Sequence, residues 1–298
     1  MLIIKKKKFR HFFGLVGVLF LLVFLSGCTQ VSPNVMNEEA QPVPKSNLRV
    51  IFLDVGQGDS SLIITPENKT ILVDGGPDDK VLSELGKFLP LKQKKIDVMI
   101  LTHPHADHLD GLVDVLKRYE VGEVYYTGVL HTTGAFLEWL KIIRDKNIKM
   151  NIVKENGAVE IGGVQLNFLF PLKDLSETKF TNLNNSSIVF KLVYDQTSFL
   201  FTGDAEVVVE KELLAGGVDL KADVLKVGHH GSNSSTSEEF LKKVAPESAI
   251  ISVGKDNDFG HPHLRTLRRL ERHNSKIFRT DKVGAVEFVS DGEKIIKK

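Results

Sequence analysis

The hydrophobic positions of this chain fall into short unbroken runs rather than long alternations. Ile71-Leu72-Val73, Val98-Met99-Ile100-Leu101 and Phe199-Leu200-Phe201 are apolar at every position. A strand that is apolar on both faces is covered on both faces, and the segments between such runs supply the covering helices. Helices are predicted at 79–88 and 206–214, closed by Pro90 and by Gly216-Gly217 respectively.

The runs follow one script twice. Asp59-Ser60-Ser61-Leu62-Ile63-Ile64 precedes Thr70-Ile71-Leu72-Val73-Asp74-Gly75-Gly76; Asn185-Ser186-Ser187-Ile188-Val189-Phe190 precedes Ser198-Phe199-Leu200-Phe201-Thr202-Gly203-Asp204. A strand over 97–102 then leads into His103, and one over 223–228 leads into His229. Further strands follow at 123–127 and 249–253, and the halves close on Gly157-Ala158-Val159-Glu160-Ile161 and Gly284-Ala285-Val286-Glu287-Phe288. Repetition on this scale is a property of the fold. The prediction is an α/β, four-layer α-β-β-α sandwich of two mixed sheets with an internal pseudo-duplication. Ligands in layered folds gather at strand ends, and the duplication puts Asp74, His103, Asp204 and His229 at equivalent ends on one edge.

The amino terminus has a different character. Lys5 to Lys8 and Arg10 precede an apolar stretch from Phe12 to Leu25. That stretch falls short of the ~20 residues a transmembrane helix needs and suits a signal peptide. It ends in Leu25-Ser26-Gly27-Cys28, which resembles a bacterial lipobox, with Cys28 the lipidated residue; an uncleaved anchor is the rival reading. Residues 1–27 are then a leader, 28–46 a lipidated and flexible linker, and 47–298 one hydrolase domain. The product would be anchored in the cell membrane by lipid, on its extracytoplasmic face. Cys28 is the only cysteine, so a disulfide framework and thiolate metal ligands are both excluded. Without the leader, lysine plus arginine falls from 39 to 34 against 38 acidic residues. A chain of that balance is no globally basic nucleic-acid binder, and any polyanion must meet a local patch.

The densest chemistry is His103-Pro104-His105-Ala106-Asp107-His108, directly after a buried run. Imidazole nitrogens and carboxylate oxygens are the ligands that borderline divalent ions prefer. This H-x-H-x-D-H pattern, together with Leu53-Asp54-Val55-Gly56-Gln57-Gly58-Asp59-Ser60, Thr202-Gly203-Asp204 and Gly228-His229-His230-Gly231-Ser232, resembles the metallo-β-lactamase fold superfamily. Within it, the combination is similar to the hydrolase-like domain of ComEC-type competence proteins, over residues 48–298.

The resemblance implies that His103 and His105 hold one divalent ion. Asp107, His108 and a second-half histidine hold another, and Asp204 bridges them. His229 is the preferred second-half ligand and His261 its competitor; His230 and His261 would then be catalytic proton donors or phosphate contacts. Asp107 doubles as base or orienting group, and Asp74 orients a ligand histidine. One departure stands out. Binuclear members place a third histidine shortly before the bridging aspartate, whereas this chain has Asn184-Asn185-Ser186. An amide oxygen binds Zn²⁺ less well than imidazole does. One or two ions are therefore expected, zinc or manganese, with magnesium a further candidate.

Such a site supports hydrolysis, and paired ions suit a phosphodiester because attacking and departing oxygens both need stabilising. After Pro262, Arg265, Arg268, Arg269 and Arg272 recur at helical spacing opposite Leu264, Leu267 and Leu270. Arg265 and Arg269 are candidate phosphate contacts, set against an ordinary solvated face with weak ion pairs. Asp59 is placed in the cleft as a substrate contact, and Gly56 and Gly58 serve there or merely turn the chain. His131 reads as a surface residue and Trp139 as packing. The expected activity is a nuclease or other phosphodiesterase acting on DNA or RNA. The alternatives are a hydrolase of a small ester, lactone or β-lactam, and a non-catalytic polyanion-binding module.

Overall fold

The computed structural model describes residues 46–176 and 178–298. The leader, Cys28 and all of the linker but Ser46 lie outside the described residues, within which no helix is long and apolar enough to cross a membrane.

The first half runs β1 (Leu48–Phe52), β2 (Ser61–Ile64), β3 (Thr70–Val73), α1 (Lys80–Phe88), β4 (Lys95–Ile100), α2 (Ala106–Arg118), β5 (Glu120–Tyr126), α3 (Gly134–Asp145) and β6 (Lys149–Ile152). The second runs β7 (Gly157–Ile161), β8 (Val164–Phe170), β9 (Val189–Tyr194), β10 (Thr197–Phe201), α4 (Val207–Ala215), β11 (Val224–Lys226), α5 (Glu238–Val244), β12 (Ser248–Ile251), α6 (Leu264–Arg272) and β13 (Lys276–Arg279). A short α7 (Thr280–Val283), β14 (Val286–Ser290) and β15 (Ile295–Lys297) complete the chain.

Two mixed sheets result, ordered β15-β14-β1-β2-β3-β4-β5-β6 and β13-β12-β11-β10-β9-β8-β7. Omitting β15, the two orders superpose strand for strand, so the pseudo-duplication is a property of the sheets. One expectation changes. The closing segments of the halves are exchanged: β7 pairs with β8 of the second sheet, while β14 pairs with β1 of the first, Val286 opposite Phe52. The first sheet therefore takes its outer strand from the end of the chain, while the second opens on the segment expected to close the first half.

The unbroken apolar runs have the predicted cause. Val50 and Phe52, with Ile63 of the neighbouring β2, face the other sheet and cluster with its Phe190 and Phe201, while Ile51 and Leu53 face the helices with Leu85 and Leu112. Phe52 stacks on Phe201 at 5.7 Å and Phe201 on Phe190 at 4.7 Å, filling the inter-sheet layer. Trp139 of α3 is buried against Tyr126 of β5, as expected of a residue that packs helix on sheet. Both sheets direct the ends of β3, β4, β10 and β11 to one edge, and the chemistry collects there.

Candidate metal centre

Strand β4 stops at Ile100, and Leu101-Thr102-His103-Pro104 carries the chain to His105, the N-cap of α2. An ionised carboxylate in the first turn is favourable at a helix N-terminus. Asp107 thus projects from the first turn of α2 towards the centre, with His108 beside it. The loop Gly56–Asp59 holds this turn in place. A Cβ on Gly58 would sit 2.3 Å from the carbonyl oxygen of Asp107, and the Asp59 amide donates to that oxygen at 3.1 Å. Gly56 has open space around it and a φ of +87°, so it serves the turn alone.

From the second half, Asp204 follows β10 through Thr202-Gly203. Strand pairing sets Val73 level with Ile100 and Phe201 level with Lys226. His103 and His229 therefore do leave their strands at equivalent points. Asp74 and Asp204 do not: Asp74 matches Thr202, and Asp204 lies two residues further on. His229 and His230 both adopt left-handed backbone, φ 50° and 51°, a conformation that costs a non-glycine residue on the order of 1 kcal/mol or more. That double turn swings His230 inward and leaves His229 at the mouth, 23 % exposed.

Four groups consequently converge: Asp107, His108, Asp204 and His230. His108 Nε2 and His230 Nε2 lie 3.3 and 3.4 Å from Asp204 Oδ2, and His230 Nε2 lies 3.2 Å from Asp107 Oδ2. His230 takes the inner position that His229 was expected to hold. His229 Nε2 is 3.9 Å from Asp204, and its Nδ1 bonds Ser234 at 3.1 Å. His103 Nε2 faces His105 Nδ1 at 3.0 Å and Asp204 Oδ2 at 3.9 Å. One oxygen of Asp204 is therefore within 4 Å of four imidazoles.

The donor set fits divalent cations. Ligands on a tetrahedral ion with bonds near 2.0–2.1 Å sit about 3.3–3.4 Å apart, close to the spacings around Asp204 Oδ2. His108 Nε2 and Asp204 Oδ1 are buried with no hydrogen-bond partner among the described residues, an arrangement that is costly unless something else satisfies them. Asn184 Oδ1 is likewise buried and unpartnered, with its amide nitrogen 3.3 Å from His229. It stands beside the centre where the missing third histidine was noted.

Each inner histidine is held by its other nitrogen. His108 Nδ1 lies 2.8 Å from Asp74 Oδ2, and Asp74 also accepts from the Thr102 amide and hydroxyl at 2.8 and 2.7 Å. His230 Nδ1 donates to the Ser252 carbonyl at 3.0 Å, with Asp59 Oδ1 at 3.1 Å. Such partners fix tautomer and ring orientation. Asp59 differs from its expected role. It is 5 % exposed, behind His230 rather than in the cleft, and its other oxygen pairs with the buried Lys226 ammonium at 2.7 Å. Lys226 went unremarked in the sequence, although a lysine inside a buried apolar strand is the signal that would have marked it.

Charges follow the geometry. Burial opposes ionisation of Asp204, but His230 and His108 outweigh it and hold the carboxyl well below its usual range. Burial likewise opposes protonation of His108 and His230, yet Asp204, with Asp74 and Asp59 respectively, lifts both well above the ordinary histidine value. His103 is pushed well down by burial and by His108. His261 is lowered to about 4 by burial and by His229 and His230, so it is neutral near pH 7. Near pH 7 His261 is therefore unprotonated, and His230 is engaged at both nitrogens, by the Ser252 carbonyl and by Asp107.

Helix α6 is tied to the centre by the Thr266 hydroxyl on the Ser232 carbonyl at 2.9 Å. Arg265 is exposed, whereas Arg269 turns back onto Thr266 at 3.1 Å and Arg272 pairs with Glu238 at 2.6 Å. Of the four arginines, Arg272 is thus neutralised by a carboxylate and Arg269 is turned onto a hydroxyl. Leu264, placed on its apolar side, is 59 % exposed. On the opposite flank, His105 lines an open cleft of about 720 Å³ with Leu130, His131, Lys179 and Phe180. His131 is a cleft residue, not an isolated surface one.

Comparison with known proteins agrees with this geometry. The family model "Metallo-beta-lactamase superfamily" matches residues 53–255. ComE operon protein 3 of Bacillus subtilis is 33% identical over 83% of this chain, and competence protein ComA of Neisseria gonorrhoeae is 30% identical over 83%. The chain spans about a third of those relatives, 34% and 33% of their lengths. The metallo-β-lactamase fold protein YhfI of Bacillus subtilis shares the fold, with a TM-score of 0.54 at 12% identity over 82% of this chain and 100% of that one. By sequence and by architecture, this chain belongs to the metallo-β-lactamase superfamily and is similar to competence proteins within it.

Proposed function

We propose that this chain is a metal-dependent phosphodiesterase, a nuclease acting on DNA or RNA outside the cell membrane, to which a lipid on Cys28 holds it. The observation that carries the reading is Asp204 Oδ2 within 4 Å of four imidazoles, with Asp107 alongside. Asp107, His108, Asp204 and His230 would hold one ion; His103, His105 and Asp204 would hold the other. Such ions lower the pKa of water to near neutrality and take charge from a phosphoryl oxygen. The chain's own groups do the rest. Asp74 keeps His108 in the ligating tautomer, and the Ser252 carbonyl, with Asp59 alongside, does the same for His230. Burial resists ionisation of Asp107, but His108 and His230 hold its carboxyl well down, so it stays an acceptor at the mouth. His229 faces substrate, and neutral His261 is placed to accept rather than give a proton. The competence relatives support nucleic acid as substrate.

A second reading, a hydrolase of small esters, lactones or β-lactams, is favoured by the cleft beside His105, because such substrates need an apolar pocket. The deciding experiment incubates the full chain with single-stranded DNA, duplex DNA and RNA in Mn²⁺, Mg²⁺ or Zn²⁺, beside an Asp107→Ala, His108→Ala control. Strand cleavage by the unsubstituted protein alone is the expected result. Cleavage of ester or lactone substrates with none of nucleic acid would replace the first reading by the second.

A further inference from the structure

Phe259 is 65 % exposed yet firmly presented. Its ring stacks on His261, centroids 5.8 Å apart and planes at 25°. The turn behind it is clasped by Asn257, which donates to the Gly254 and His261 carbonyls at 3.0 and 2.7 Å and accepts from the His261 amide at 3.0 Å. From Phe259 a chain of rings crosses the centre: His261 to His230 at 6.4 Å, His230 to His108 at 5.3 Å, His108 to His103 at 4.2 Å, His103 to His105 at 4.7 Å. His105 then opens into the cleft, where Phe180, His131 and Leu130 (74 % exposed) offer apolar and aromatic surface beside the Lys179 ammonium.

We propose that Phe259 and the Phe180 cleft are seats for unpaired nucleobases on either side of a phosphodiester held at the metal centre. The substrate class is then single-stranded nucleic acid, an assignment that rests on the phosphodiesterase reading above. Aromatic rings accept any base because every base has a π face, and a nearby cation meets the backbone. Bases within a duplex are stacked on one another and cannot reach a protein ring without being extruded. A duplex would have to be gripped by phosphate contacts alone, and α6 offers Arg265 and Arg268 exposed, Arg272 being paired with Glu238 and Arg269 folded onto Thr266. A small ester would fill the cleft and leave Phe259, at the other end of the ring chain, without a role.

The test uses the full chain. Fluorescence anisotropy in chelator, which prevents cleavage, measures binding of a labelled oligothymidine, an abasic strand of equal length and a duplex. The expected order is oligothymidine well ahead of the other two, with Phe259→Ala weakening oligothymidine binding about fivefold or more and leaving the abasic strand unchanged. Phe259→Trp should keep or tighten the base-dependent part. Equal binding of oligothymidine and abasic strand, an inert Phe259→Ala, or duplex bound as tightly as single strand would each overturn the proposal. Cleavage in Mn²⁺ separates the two ideas: duplex and single strand cut equally well removes the base seats alone. Base-dependent binding with no phosphodiester cut in any metal keeps the seats and removes the phosphodiesterase reading.

Discussion

The two halves of the molecule share a strand order but divide the chemistry unequally. In the first half, α2 presents Asp107 and His108 from an ordinary helical turn, and Asp74 of the same half holds His108. In the second, a tight turn with two left-handed histidines presents His230, whose Nδ1 donates to the Ser252 carbonyl of the same half with Asp59 of the other half alongside. Lys226 sharpens the contrast. It is level with Ile100, so a buried ammonium stands in the inter-sheet layer where the first half has a methyl group. The scaffold is repeated, and the candidate ligands on it are presented by different local means.

The largest expected effect removes what the halves share. Asp204→Asn should lower metal-supported hydrolysis by on the order of 10³-fold or more, with the bound-metal count per chain falling in the same preparations. A metal-replete Asp204→Asn protein of full activity would show that the halves do not meet through this oxygen. Next comes the unequal residue pair. Lys226→Ile copies the first half but strands Asp59, and should cost about 3–5 kcal/mol in denaturant unfolding. Adding Asp59→Asn should recover part of that loss; an additive double variant would break the pairing argument.

The two braces can be compared directly. Asp74→Asn and Asp59→Asn should each weaken metal binding by about 10–100-fold in calorimetric titration. The comparison fails if only one of them matters. A pH series tests the charges. In metal-free protein, His108 and His230 have raised pKa values, so their stabilisation is complete below the unfolded value of about 6.5 and is lost as pH rises through the folded ones. Melting temperature in chelator should therefore fall with pH above that point, and loaded protein should not follow it. A flat metal-free profile would contradict the pairing of both histidines with Asp204. The smallest effect belongs to Arg265→Ala, which should reduce the salt dependence of strand binding by a slope of about 1.

The sandwich was legible because burial on both faces leaves unbroken apolar runs, and because the repeat was written in motifs. His103, His105, Asp107, His108 and Asp204 were equally visible, being fixed by strand ends and a helix start. The choice between His229 and His230 was not. It depends on two consecutive left-handed residues, and no side-chain pattern announces that where glycine is absent. Asp59 looked like a cleft residue because its loop is glycine-rich; its burial becomes apparent only once Lys226, 167 positions later, is brought beside it. The arginines of α6 were legible as a face, but their partners Glu238 and Thr266 were not.

The exchanged outer strands have a consequence for how the molecule can come apart. Because β14 completes the sheet that β1 begins, a chain cut after β13 would bare the length of β1 as an unpaired edge, open to another copy. The last dozen or so residues thus act as a latch on β1. A polypeptide cannot finish its opening sheet until its last strands have been made and brought back beside β1.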